Sequence, residues 1–220
     1  MVRAMRALRS AAEQGDAAAQ VAFAQRYHRG EGMPQNMREA AHWYGKAAEQ
    51  GRADAQRVLG ACYENGHGVE HDDCEATRLY ARAAEQGDAA AHSSLGRFRA
   101  HGRGGLPQDL DEAARLFRRA AEQGDARGQS NLGVCYAKGR GVARDQHEAA
   151  HLFRIAAGQG FSPAQCNLGA YHFKGATCQW PPDVVPPSAS VNLTRAPATS
   201  VTSARASVHC ARAAPTAGAA

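Results

Sequence analysis

The chain has 220 residues, 44% of them hydrophobic but only 6% aromatic, and a formal net charge of +5. Alanine supplies much of the apolar share, which is too little bulk for one large enzyme-like core but enough for helices packed closely face to face. The mild basicity permits acidic partners or nucleic acid without arguing for either, and no stretch nears the roughly 20 consecutive apolar residues of a membrane helix.

The N-terminal MVRAMRALRSAAEQG carries positive charge but no apolar h-region, so a secretory signal is not expected. Ala4, Leu8 and Ala11 keep a helical apolar spacing, so residues 1–10 are predicted as the second helix of a partial leading repeat. The phrase AAEQG then recurs at 11–15, 47–51, 83–87 and 120–124, with AAGQG at 156–160, at intervals of 36, 36, 37 and 36 residues. A period of that size is the mark of an α solenoid built from helical hairpins, and it outranks any local motif. It divides the chain into units 11–46, 47–82, 83–119 and 120–155 and a partial unit 156–175.

Each unit opens with a first helix on which one apolar stripe runs at i, i+4 and i+8, as at Ala55, Leu59 and Tyr63. Gly60, Gly96, Gly133 and Gly169 fall in its middle, where glycine costs about 1 kcal/mol relative to alanine. A cost repeated at one position predicts close approach of a neighbouring helix. A G-x-G-V turn follows at 66–69 and 139–142. The second helix starts at Asn36, Asp72, Asp109 and Asp145, each followed three residues later by Glu39, Glu75, Glu112 and Glu148, the spacing of a capping box. Its apolar residues recur at helical spacing, as in Ala113, Leu116, Phe117 and Ala120. Asp16, Asp88 and Asp125 are placed to cap the next first helix. No unit can bury its apolar face alone, so the units must stack.

The stretches L-G-x-x-Y at 59–63 and 132–136, G-x-G-V at 66–69 and 139–142, and W-Y with A-A-E-Q-G at 43–51 resemble the Sel-one-like repeat family, relatives of the tetratricopeptide repeats. The resemblance covers about residues 1–175. Phe23 and Ala24 depart from Leu-Gly, Arg99 and His172 replace the tyrosine, and GRGGLPQD at 102–109 carries one extra residue. The resemblance implies an all-α, α/α superhelical solenoid of tandem helix-turn-helix repeats and a non-catalytic scaffold or adaptor that gathers protein partners. Secreted relatives that staple each hairpin with a disulfide are not matched, because alanine holds the corresponding positions.

From Ala176 to Ala220 the chain is rich in Pro, Ala, Ser and Thr with no helical apolar period, so a disordered tail is expected. Neither end shows the polar capping helix that usually closes an array, which keeps a truncated or misassembled gene product open as an alternative. Six cysteines at 62, 74, 135, 166, 178 and 210 form no CxxC pair and are expected to be mostly reduced, in a cytoplasmic protein.

One motif pulls toward chemistry. HEAAH at 147–151 matches the zinc-peptidase pattern H-E-x-x-H, in which two histidines one turn apart hold a metal and the glutamate polarises water. In the repeat frame, however, Glu148 is the recurring helix-start glutamate, Ala149 and Ala150 match Ala40 and Ala41, and His147 and His151 occupy variable positions. No third ligand follows. His67, His71 and Cys74 have a conceivable zinc spacing, yet His67 sits between two turn glycines, where the other units carry Glu31 and Arg140. Cys62 and Cys135 share one repeat position and are expected to be packing residues. The arginines are spread among acidic residues and read as solvated faces.

The reading is therefore a protein-binding solenoid with no catalytic residue, metal or cofactor, binding a protein or peptide and neither nucleic acid nor membrane. The rivals are a repeat-bearing fragment of a larger enzyme or signalling protein, and a zinc hydrolase using 147–151. The first helices are expected to line the concave side, where the second and sixth positions after the stripe residue point away from the packed face: Val21, Gln25, Arg57, Ala61, Ser93, Arg97, Ser130 and Val134. Oligomeric state is not legible.

Overall fold

A computed structural model describes residues 2–173, and within them a helix begins at each cap that the sequence marks. The helices are α1 (Val2–Glu13), α2 (Ala17–Arg29), α3 (Met37–Glu49), α4 (Ala53–Asn65), α5 (Asp73–Glu85), α6 (Ala89–His101), α7 (Leu110–Glu122), α8 (Ala126–Lys138), α9 (Gln146–Gly158) and α10 (Ser162–Phe173). No strand occurs among the described residues. The predicted tail at 176–220 lies outside them.

Asn36, Asp72, Asp109 and Asp145 each accept backbone N–H groups of the first turn, as do Asp16, Asp88 and Asp125. Helix α4 is the exception: Arg52 occupies the cap and makes no side-chain cap bond, and Asp54 instead accepts from the Ala55 N–H at 2.9 Å. The other half of the capping box is not built. The cap N–H groups of Asn36, Asp72, Asp109 and Asp145 donate to the carbonyls of Tyr27, Tyr63, Arg99 and Tyr136, at 3.0–3.1 Å. The glutamates are thereby released, and Glu75 and Glu112 pair with Arg78 and Arg115.

Each helix packs on its neighbours in sequence, and α6 also touches α8, so the first helices (α2, α4, α6, α8) form one layer and the second helices (α1, α3, α5, α7, α9) another. Three of the four mid-helix glycines mark the seam within a unit; Gly169 in α10 does not, having nothing within 4 Å, with no second helix after it among the described residues. A Cβ on Gly133 would stand 2.8 Å from Phe153 of α9, one on Gly96 2.8 Å from Phe117 of α7, and one on Gly60 3.0 Å from Tyr80 of α5. The second turn glycine marks the seam between units. Gly68 and Gly141 have φ of +77° and +67°, and a Cβ on either would collide with the carbonyl of Met37 or Leu110, the first residue of the preceding unit's second helix.

Alanines fill the rest of the core: Ala40, Ala47, Ala55, Ala76, Ala83, Ala91, Ala120, Ala149 and Ala156 are essentially inaccessible. Polar links then lock one unit to the next. Buried Gln56 donates to the Ala48 carbonyl at 3.1 Å and accepts from Gln86 at 2.8 Å. Gln20 does the same with Ala12 and Gln50, and Gln129 accepts from Gln159 at 2.9 Å. In the third unit His92 takes this place, with Nδ1 3.0 Å from the Asp88 carbonyl.

Candidate functional site

In the layer of first helices, the sixth-position residues Gln25, Ala61, Arg97 and Val134 form an accessible row, with Gln25 exposed and the other three half-buried. Of the second-position residues only Arg57 is comparably accessible. Val21, Ser93 and Ser130 are only 6%, 3% and 3% exposed, a correction to the expectation that they point away from the packed face. An inner helix such as α6 meets α5, α7 and α8, so the buried arc of its wheel is wider than a single hairpin would impose.

The two arginines in the set are already engaged. Half-buried Arg57 donates from Nε to Asp88 at 3.2 Å, tying α4 to the start of α6. Arg97 forms two parallel hydrogen bonds to Glu64, at 2.6 and 2.7 Å, tying α6 back to α4. Glu64 also accepts from the Tyr80 hydroxyl at 2.9 Å. Arg103, in the lengthened turn, grips Asp73 at 2.7 and 3.0 Å and reaches Glu64 at 3.5 Å, its guanidinium 4.7 Å from the centre of the Phe98 ring.

Electrostatics follow from this geometry. Burial pushes the Glu64 carboxyl upward, but Arg97, the Tyr80 hydroxyl and Arg103 together outweigh that and hold it below the ordinary glutamate range. The Tyr80 phenol is pushed well above its usual value, first by burial and then by the adjacent Glu64 charge. The ionised network is thus a joint between units two and three.

Neither Glu64 nor Arg103 was anticipated. The signal lay where the repeat breaks: Glu64 corresponds to His28, Ala100 and Ala137 in other units, and Arg103 lies in the turn with the extra residue.

The chemistry candidates are placed as follows. His147 and His151 both lie exposed on α9, and Asp145 accepts from the N–H groups of His147 and Glu148 at 2.9 and 3.0 Å. The pentapeptide is therefore the start of a capped helix. His67 and His71 are exposed, and His71 meets Asp73 at 3.4 Å. Among the described residues no three His, Cys, Asp or Glu side chains come together as a metal-holding group. Cys62, Cys135 and Cys166 are free thiols, whereas Cys74 is engaged in a disulfide. Burial pushes the Cys62 thiol up to about 11 and raises that of Cys135, so both are packing residues with little thiolate to react.

The Sel1 repeat pattern matches at residues 15–51, 53–88, 89–125, 126–161 and 162–183. The chain belongs to the Sel1 repeat family. Its repeats begin at the first helix of each hairpin, a different phase of the same period. A protective antigen of uropathogenic Escherichia coli with an SLR fold is 37% identical and superposes with a TM-score of 0.70 over 78% of this chain and 36% of that one. A Sel1 repeat protein from Oxalobacter formigenes is 38% identical, with a TM-score of 0.66 over 73% of this chain and 64% of that one. The chain thus spans 36% and 64% of the lengths of these two structures. An immunity protein of Pseudomonas aeruginosa, 23% identical with a TM-score of 0.50, shares the fold. No curated protein matches. Sel1 repeat proteins mediate protein–protein interactions and are in general scaffolds, and no helix described in this member is long and apolar enough to cross a membrane.

Proposed function

We propose that this Sel1 repeat chain is a non-catalytic scaffold that binds a protein or peptide across its layer of first helices. The observation that carries the reading is the row Gln25, Ala61, Arg97 and Val134. The framework around it repeats nearly unchanged, while the row presents an amide, a methyl group, a paired guanidinium and an isopropyl group in turn. A rigid array with a chemically varied accessible row offers a partner distinguishing contacts at low ordering cost. Val21, Ser93 and Ser130 would act by packing the row, and Arg57 and Arg97 by holding the units in register. A cytoplasmic setting belongs to the same reading; the three free thiols favour it and the disulfide at Cys74 counts against it.

The test is capture of partners by the full chain from lysate of its own cells, native against an Ala61→Glu/Val134→Glu variant. A specific polypeptide retained by the native chain and lost from the variant, with unchanged melting temperature, is the expected result. Equal capture by both would remove the binding face from this layer. Zinc hydrolysis is tested separately: stoichiometric zinc whose loss in His147→Ala abolishes peptidase activity would overturn the non-catalytic reading.

A further inference from the structure

The second-helix layer holds a cleft of ≈ 520 Å³ between α3 and α5, floored by Leu59 and Tyr63 of α4. Its walls carry four cationic side chains, Arg38 and Lys46 from α3 and Arg78 and Arg82 from α5, against two carboxylates, Glu49 and Glu75. Glu75 is already bound by Arg78, at 2.9 Å. The remaining cations lack such a counter-charge. Lys46 stands 4.3 Å from the centre of the Trp43 ring, Arg82 donates to the Ala48 carbonyl at 3.4 Å, and Arg38 has no carboxylate partner among the described residues.

Beyond these contacts, gathering like charges on one side costs the helices stability. Arg78 and Arg82 are like charges at i, i+4, a spacing that costs a helix about 0.2–0.5 kcal/mol. On the facing helix, Arg38, His42 and Lys46 follow at i, i+4 and i+8, so both walls aim basic groups into one space whose floor is apolar. We propose that the α3/α5 cleft binds a short, extended acidic peptide in which carboxylates alternate with apolar residues. Successive side chains of an extended strand point to opposite sides. Its apolar groups would meet Tyr63 and Val69, which stay part-exposed above buried Leu59 and Leu79, and its carboxylates Arg38, Lys46 and Arg82. The span from Arg38 to Lys46 is about 12 Å at the helical rise, room for about four extended residues. Glu49 repels carboxylate and phosphate alike, but an oligonucleotide carries a charge at every residue, whereas the alternating peptide can place an apolar side chain there.

The inference rests on the reading of the array as a polypeptide binder but concerns the opposite helix layer, so the two fail separately. The probe is a fluorescently labelled peptide of alternating Glu and Leu, followed by anisotropy on the full chain. Controls are the Gln–Leu peptide and an oligothymidylate of equal charge. The expected result is saturable binding of the Glu–Leu peptide that weakens as salt rises. It should weaken at least tenfold in Lys46→Glu/Arg82→Glu, be reduced in the milder Lys46→Gln/Arg82→Gln, and be unchanged in Ala61→Glu/Val134→Glu, each checked by thermal melting. Absence of saturable binding, equal binding of the Gln–Leu peptide, tighter binding of the oligothymidylate, or indifference to both substitutions of Lys46 and Arg82 would overturn it.

Discussion

Glu64 shows what one residue outside the repeat pattern can do. Its side chain is 9% exposed and satisfies Arg97, Tyr80 and Arg103 from three different segments. Removing one member of a fully buried ion pair costs about 3–5 kcal/mol, but Arg97 and Arg103 keep 38% and 35% of their side chains in solvent, which screens them. Glu64→Gln is therefore expected to destabilise the chain by about 2 kcal/mol in urea unfolding at neutral pH. The sign of its pH dependence follows from the lowered folded-state value. The carboxylate contributes fully above its unfolded value, near 4.5, and its contribution disappears as pH falls through the lower folded value. The gap between native and Glu64→Gln should thus be constant from neutral pH down to about 4.5 and close below it. A gap independent of pH would show that Glu64 acts by shape and not by charge.

At the scale of the helix, equivalent letters do not carry equivalent roles. Gly133 and Gly45 both lie inside helices, and alanine is favoured over glycine there by about 1 kcal/mol. At Gly133 the new methyl would sit 2.8 Å from the Phe153 ring, whereas at Gly45 nothing stands within 4 Å. Gly133→Ala is expected to lose about 1–3 kcal/mol by overpacking, and Gly45→Ala to gain up to about 1 kcal/mol. Paired thermal melts decide it, and a stabilised Gly133→Ala would mean that α8 and α9 can move apart at no cost. The periodic glycines pointed to the close approach in advance, because a repeated helix penalty needs a packing reason. The half-built capping box was not legible. Its glutamate spacing is correct, but the cap N–H is taken by a carbonyl on the preceding helix, a bond that exists only once the turn has folded.

Across the whole molecule, stability is the sum of similar units and the joints between them. The glutamine joint is present at Gln20, Gln56 and Gln129 and replaced at His92. Restoring it with His92→Gln gives Gln123 the partner that Gln50, Gln86 and Gln159 have. The expected gain is about 0.5–1.5 kcal/mol, with a sharper unfolding transition as units three and four become better coupled. A lower midpoint would show that His92 is itself the better fit in that joint.

The period of 36–37 residues, the apolar stripes and the acidic caps were sufficient to define an all-α array and the start of nearly every helix. They suffice because such features act within one hairpin, through contacts three or four residues apart. The same frame dissolved HEAAH into a capped second helix, since three of its five letters recur as scaffold. Which surface residues remain accessible was another matter. Val21, Ser93 and Ser130 look free on an isolated helical wheel and are buried by neighbouring units, while Arg57 and Arg97 spend their charge on Asp88 and Glu64, 31 and 33 residues away. The cleft between α3 and α5 likewise exists only when two units lie side by side, because its walls are 36 residues apart in the chain at Lys46 and Arg82. Local periodicity determines the helices, whereas the stacking of one unit on the next determines which of their side chains a partner can reach.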